Sequence, residues 1–168
     1  MSEPGRELTE PPKLDAGFVY RETLAQLDRL HALLGRAATH VDVHKHLHRN
    51  SNVLEGLIRA AQDTGLPVRS MDAPTRVALR KAGVRTNDVM LGDAGAQAYW
   101  TVDTLEAELA SLPEVHVVEL MCHPGYRPEV ERSGYAAQRE VELATFTSAK
   151  ARALLRGLPL TSWRALSR

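Results

Sequence analysis

The chain has 168 residues, of which 43% are apolar and 25% charged, so it can form one domain with a hydrophobic core. Its formal net charge of zero argues against bulk binding to nucleic acid or to an acidic membrane surface, and no apolar stretch approaches the ~20 residues that a membrane span needs. Its one cysteine, Cys122, excludes an internal disulfide and is typical of a cytoplasmic protein.

The first part of the chain is predicted to contain a leader, a helix and a strand. Residues 1–15 are polar and proline-bearing and lack the apolar core of a signal peptide, so we expect a flexible leader before a single α/β domain over residues 16–168. Leucines at helical spacing predict a helix over residues 17–34 that ends at Gly35. Alternating polar and apolar residues predict a strand over residues 39–44.

The rest of the chain continues to alternate between helices and strands. A helix over residues 52–64 is predicted to start with Asn52 and Glu55 as a capping box and to end at Gly65. The later predicted elements are a strand at 66–70, a helix at 75–82 ending at Gly83, a loop within 84–100, a helix at 102–112 capped by Asp103, a strand at 115–122, helices at 136–146 and 148–156, and a strand at 158–163. This alternation predicts an α/β fold with a mostly parallel sheet, in which ligands bind at the carboxyl ends of the strands.

The most informative segment is residues 39–48, which reads Thr-His-Val-Asp-Val-His-Lys-His-Leu-His. In a strand, His40, Asp42 and His44 lie on one face, and His46 and His48 continue the same alternation. Imidazole and carboxylate groups together suit Zn²⁺ and similar divalent ions, which convert a bound water into a nucleophile. The alternatives are a solvated strand edge and an adventitious metal binder.

A second polar group follows the most strand-like run of the chain. His123 stands before a Pro-Gly turn, where Gly125 allows close approach of the backbone to a ligand, and could act as a general acid. Glu119 is either part of the site or the partner of a buried arginine. The charged residues around Arg139 and Glu142 are typical of a solvated or salt-bridged helix face. Since both polar groups follow predicted strands, we expect them to form one site.

These motifs resemble those of the YdjC-like carbohydrate deacetylases, a family that includes chitooligosaccharide deacetylases and the deacetylases of hopanoid glycolipid synthesis. Residues 39–48 look like the family's Thr-His-x-Asp-x-His-x-His-x-His signature. Residues 119–126, Glu-Leu-Met-Cys-His-Pro-Gly-Tyr, are similar to its second signature. Ser133, Tyr135 and the Arg-Glu-x-Glu-Leu run at residues 139–143 match a third.

The resemblance implies an irregular (β/α) barrel that hydrolyses the N-acetyl group of an amino sugar, in a chitooligosaccharide or a glycolipid, with a divalent ion such as Zn²⁺ or Mg²⁺. By position, it implies His44 as a metal ligand and His123 as the catalytic acid or a stabiliser of the tetrahedral intermediate. Asp42 is implied as a further catalytic or buttressing residue. The implied site-lining residues are His40, His46, His48, Glu119, Gly125 and Tyr126.

The match to the family is incomplete. The family's Asn-Ala-Asp-Asp-Phe-Gly signature and its Gly-x-His-Leu segment, which supply two of three metal ligands and the base, do not occur in these 168 residues. We therefore expect an incomplete barrel that corresponds to the C-terminal two-thirds of a deacetylase. Three explanations remain open: the chain is a truncated product, it is a non-catalytic sugar- or metal-binding relative, or it is an enzyme with a metal site rebuilt from Asp42, His44, His46 and His123. A purely structural interaction domain is a further alternative. Exposed sheet edges predict a homodimer or aggregation.

Overall fold

The computed structural model describes residues 15–93, 98–112, 117–127 and 135–166. The leader predicted at residues 1–15 lies outside them except for Asp15. The chain divides into two compact units, a first unit of Met1–Thr86 with Ser162–Arg168 and a second unit of Asn87–Thr161. The expectation of a single domain over residues 16–168 stays a prediction.

The first unit contains the helices α1 (Ala16–Leu34), α2 (Ser51–Thr64) and α3 (Ala73–Lys81). Helices α1 and α2 touch at Gly56, where an added Cβ would lie 2.6 Å from the carbonyl oxygen of Ala16. Only glycine permits so close an approach of the two backbones. The buried core of this unit is formed by Ala61, Val68, Leu79 and Val84.

The C-terminal ends of α1 and α2 agree with the sequence prediction, whereas α3 begins two residues before the predicted helix and the cap of α2 differs. Gly35 and Gly65 end α1 and α2 in the left-handed conformation, as predicted. The predicted capping box at Asn52 is wrong. Asn50 caps α2 instead, because its Oδ1 accepts the backbone N–H groups of Asn52 at 3.0 Å and Val53 at 3.4 Å.

Two predicted strands are reduced to one isolated bridge. In place of strands over residues 39–44 and 66–70, Val41 and Val68 form a single parallel bridge. The backbone N–H of Arg69 donates to the carbonyl of Val41 at 3.0 Å. Both strand predictions are therefore wrong beyond this contact, although its parallel direction agrees with the predicted sheet.

The chain changes direction directly after the bridge. His44–Arg49 is a 3₁₀-helix, and inside it Lys45 and His46 have left-handed φ values of 53° and 55°. Such a conformation costs about 1–3 kcal/mol for a residue with a side chain and persists only where surrounding contacts impose it. The predicted placement of alternate histidines on one face therefore ends at His44.

The second unit contains a parallel pair of strands, β1 (Val89–Leu91) and β2 (Val118–Leu120). Its helices are α4 (Val102–Ala110), α5 (Ala136–Thr147) and α6 (Ala149–Arg156). Trp100, Leu105 and Ala151 are fully buried in its core, and Cys122 packs against them. The described residues thus form a helix-rich α/β structure with an open parallel sheet, which confirms the predicted fold class.

Several boundaries in this part of the chain differ from prediction. Strand β1 lies in the stretch predicted to be a loop, and β2 covers only residues 118–120 of the strand predicted at 115–122, whose first two residues lie outside the described ones. Asp103 does not cap α4, because the Oγ1 of Thr101 accepts the N–H of Thr104 at 3.1 Å.

The end of the chain also differs from prediction. The strand predicted at residues 158–163 is wrong, since the structure shows a 3₁₀-helix at Trp163–Leu166 and no sheet pairing before it. No α-helix in the described ranges is both long and apolar enough to cross a membrane.

Candidate functional site

The site residues predicted from the sequence fall into two groups. The first unit holds His40, Asp42, His44, His46 and His48, and the second unit holds Glu119, His123, Gly125 and Tyr126. That the two groups line one pocket stays a prediction.

His40 lies at the wall of a cavity of about 270 Å³. Its ring stacks on the indole of Trp163, with centroids 5.0 Å apart and planes 7° from parallel. Its Nδ1 lies 3.0 Å from the hydroxyl of Thr39. These contacts hold the imidazole in one orientation, beside Arg36 and Arg164, which also line the cavity.

Asp42 is committed to neighbouring groups. Its Oδ2 lies 2.6 Å from the Nη1 of Arg69, and its Oδ1 accepts the backbone N–H of Val43 at 2.8 Å. Both carboxylate oxygens of Asp42 are therefore engaged, and its catalytic or buttressing role stays a prediction.

The last histidines of the row lie in different environments. His44 is exposed at the first residue of the 3₁₀-helix, whereas His48 is only 1% exposed. Neither ring nitrogen of His48 has a hydrogen-bond partner among the described residues, and its ring lies 6.2 Å from that of His46. Burial, followed by the neighbouring His46, lowers the pKa of His48, so this side chain is a neutral buried imidazole.

The described residues do not supply a complete set of ligands for the implied divalent ion. Nowhere in the described ranges do three or more His, Cys, Asp or Glu side chains converge on one point. A catalytic zinc site needs three protein ligands and an open position. The residues present therefore do not fit a metal site by themselves, and an ion bound at His44 would need donors from beyond the described part of the chain.

His123 lies three residues after the carboxyl end of β2. Its backbone N–H donates to the Oε2 of Glu142 at 2.6 Å, and its ring meets that of Tyr135 edge to face, with centroids 5.0 Å apart. Two residues on, the N–H of Gly125 donates to the carbonyl of Arg139 at 3.2 Å. Helix α5 therefore holds the His-Pro-Gly turn through contacts at both ends.

Glu142 is the functional candidate that the sequence analysis missed. The predicted solvated helix face is wrong at this residue, which is fully buried. Its Oε1 accepts the phenol of Tyr135 at 2.6 Å. Burial, followed by this hydrogen bond, raises the pKa of Tyr135 well above its ordinary value, so the phenol stays a donor.

The two ring nitrogens of His123 are not equivalent. Nδ1 is enclosed and has no hydrogen-bond partner among the described residues, whereas Nε2 is not enclosed in this way. A buried nitrogen without a partner costs about 1–3 kcal/mol whether it is a donor or an acceptor. Nε2 is therefore the nitrogen of His123 that remains available to a ligand.

The other site residues of the second unit differ in exposure. Glu119 is half-buried in β2, in register with Met90 of β1. Tyr126 is 83% exposed, three residues after His123. That Tyr126 lines the site stays a prediction.

Comparison with known proteins places these residues in a family. The family described as YdjC-like protein matches residues 6–157. The chain is 33% identical to a carbohydrate deacetylase of Vibrio parahaemolyticus serotype O3:K6, over 95% of this chain and 62% of the relative. It is 27% identical to a chitooligosaccharide deacetylase of Yersinia pestis (strain Pestoides F), over 80% of this chain and 54% of the relative.

A solved structure supports the same assignment. The fold is similar to that of a candidate cellobiose-phosphate cleavage protein from Enterococcus faecalis V583, with a TM-score of 0.75 and 27% identity over 92% of this chain and 62% of that one. The chain thus spans less than two thirds of the length of these relatives. With its family model matched over most of its length, the chain belongs to the YdjC-like protein family.

Proposed function

We propose that this chain carries part of the active site of a carbohydrate deacetylase, which hydrolyses the N-acetyl group of an amino sugar in a chitooligosaccharide or a glycolipid. Family membership and the deacetylase relatives support the reaction class. The observation that carries the proposal is the geometry of His123, held by Glu142 at the end of β2 with Nε2 as its available nitrogen.

His123 has the properties that amide hydrolysis requires of an acid. Attack of water on the acetamide carbonyl creates an oxyanion, and the amine of the sugar must gain a proton before it leaves. An Nε2–H directed outward can donate to either of these atoms. In this proposal the exposed Tyr126 contacts the sugar.

Acetate release from N-acetylglucosamine oligomers tests this role. We expect His123→Gln to lower kcat/KM by about 10²–10⁴-fold, the usual contribution of a general acid. His31→Gln is a matched control, because His31 is an exposed histidine in the last turn of α1. Equal activity in the two variants would contradict the proposal.

Binding measurements separate the alternatives if no acetate is released. Calorimetric binding of the oligomers that depends on His44 and His123 would support a non-catalytic sugar-binding relative. Binding and stability unaffected by His44→Ala would support a structural interaction domain.

We also propose that the activity depends on a divalent ion, Zn²⁺ or Mg²⁺, with His44 as one ligand. Because His44 is exposed, its ring is available to bind an ion whose other ligands come from outside the described residues. Metal analysis after dialysis is the test: His44→Ala should lose bound ion, and His31→Ala should not. Equal metal content in both variants would remove His44 from the ligand set.

The compartment and assembly state are proposals as well. One cysteine in the sequence suits a reducing cytoplasm. The exposed Leu33 and Leu34 at the end of α1 suit a homodimer, because apolar side chains grouped on a surface favour association.

A further inference from the structure

We infer that Glu142 is a positioning residue for His123, and that it acts through the backbone of His123 and through the phenol of Tyr135. This inference rests on the proposed function, because it assigns the device that orients its acid. The role follows from contacts within the second unit alone.

Both carboxyl oxygens of Glu142 are used in hydrogen bonds. A fully buried carboxylate is costly unless its oxygens are hydrogen-bonded. Each oxygen of Glu142 accepts one hydrogen bond of 2.6 Å, from the N–H of His123 and from the hydroxyl of Tyr135. The buried carboxyl group is thus tied to His123 by two routes, one direct and one through Tyr135.

These two hydrogen bonds also affect the orientation of the His123 imidazole. The backbone bond sets where His123 leaves β2, and the phenol bond sets the plane of the Tyr135 ring against which the imidazole packs at 74°. Nδ1 is the enclosed nitrogen of this ring, and Nε2 is the available one. Because Glu142 fixes the backbone and the ring contact of His123, we expect it to bias the tautomer without touching the ring nitrogens.

A residue on the same helix separates this role from simple support of the fold. Thr145, one turn after Glu142, is also buried, and its hydroxyl donates to the carbonyl of Trp100 at 3.0 Å. Thr145 thereby holds α5 against the segment before α4, away from His123 in the hydrogen bonds of the described residues. Thr145→Val is therefore the matched control, because it removes a buried hydrogen bond of α5 that does not involve His123.

The test is the tautomer of His123, measured by imidazole ¹⁵N NMR of the whole chain at alkaline pH, where histidine side chains are generally neutral. We expect the Nε2–H form to dominate in the wild type. Tyr135→Phe leaves an oxygen of Glu142 without its donor and admits water near Nδ1, so the tautomer ratio should fall at least about threefold. Glu142→Gln should act in the same direction, and Thr145→Val should keep the wild-type ratio.

The activity measurement adds a second readout. Tyr135→Phe should lower kcat for acetate release by about 10–100-fold with KM unchanged, the usual effect of losing an orienting partner. A wild-type tautomer ratio in both Tyr135→Phe and Glu142→Gln would overturn the inference, whatever the acetate result. A changed ratio in a chain that releases no acetate would support the positioning role and count against the proposed function.

Discussion

Gly92→Ala should be severely destabilising, because Gly92 meets two separate constraints. Its φ is 104°, in the region that favours glycine, and an added Cβ would lie 2.2 Å from the carbonyl oxygen of Met121. Real Cβ atoms essentially never come closer than 3.0 Å to such an atom. The obstacle is backbone, so it cannot rotate away as a flexible side chain would.

The magnitude follows from the two constraints together. Holding an alanine at this φ costs about 1–3 kcal/mol, and overpacking at the Met121 carbonyl costs about 1–3 kcal/mol more. That carbonyl also accepts the indole N–H of Trp100 at 2.7 Å, so moving it would weaken a buried hydrogen bond. We expect the free energy of unfolding to fall by about 2–6 kcal/mol, which is a large part of the stability of a small protein.

Urea denaturation followed by tryptophan fluorescence measures this loss. A Trp163→Phe background leaves the buried Trp100 as the reporter for the second unit. Gly157→Ala is the neutral control, because φ at Gly157 is −78° and the nearest atom to an added Cβ is 3.9 Å away. Gly83→Ala isolates backbone strain, since φ is 76° with nothing within 4 Å. Because Gly83 lies in the first unit, the unfolding of this variant is followed by circular dichroism. The reasoning is refuted if Gly92→Ala lowers the free energy of unfolding no more than Gly83→Ala does.

Three further predictions use other parts of the structure. Asn50→Ala should cost about 1 kcal/mol of helix capping in a urea titration, and Asn52→Ala, at the cap predicted from the sequence, should cost much less. The hydrogen bond from Tyr99 to Glu108 raises the pKa of Tyr99 from 10.0 to about 12. The stability that this pair adds is therefore complete below pH 10.0 and disappears as the pH rises towards 12. An absorbance titration should show the pKa of Tyr99 returning towards 10.0 in Glu108→Gln. Leu33→Lys should shift any dimer towards monomer in sedimentation, and an unchanged sedimentation coefficient in a dimeric wild type would place the interface elsewhere.

The helices could be predicted from the sequence because their signals are local. The left-handed ends at Gly35 and Gly65 need glycine, and an apolar stripe needs only its own spacing. Strands depend on partners far along the chain. Strand β1 has three residues, and Asp88 before it accepts the N–H of Val117 at 2.7 Å across 29 positions, a contact that no local pattern reveals.

The histidine row shows why a periodic pattern can mislead. Alternation through residues 39–48 predicts one polar face, yet the backbone turns at Lys45 and His46 into a conformation that both residue types disfavour. Local preference therefore argues against the observed structure, and only the surrounding contacts can impose it. The row identifies the family, but the environments of its five polar residues could not be derived from their spacing.

Helix α5 carried a signal that could have been recognised. Gln138, Glu142 and Thr145 are spaced by four and three residues, which places them on one face, and all three are buried. The same spacing occurs on solvated helix faces, so periodicity alone does not separate the two cases. What separates them is a donor for the carboxylate, and the backbone donor that Glu142 uses lies 19 positions away at His123.

Because Glu142 and His123 lie 19 positions apart, their contact could not be predicted from the sequence. A histidine near the carboxyl end of a parallel strand is what the general rule for α/β proteins predicts, and His123 follows the end of β2 by three residues. We propose that its chemistry depends on which nitrogen carries the proton, and that Glu142 and Tyr135 influence this. The position of His123 is thus a property of one strand, whereas its contacts are a property of the packing between that strand and a helix.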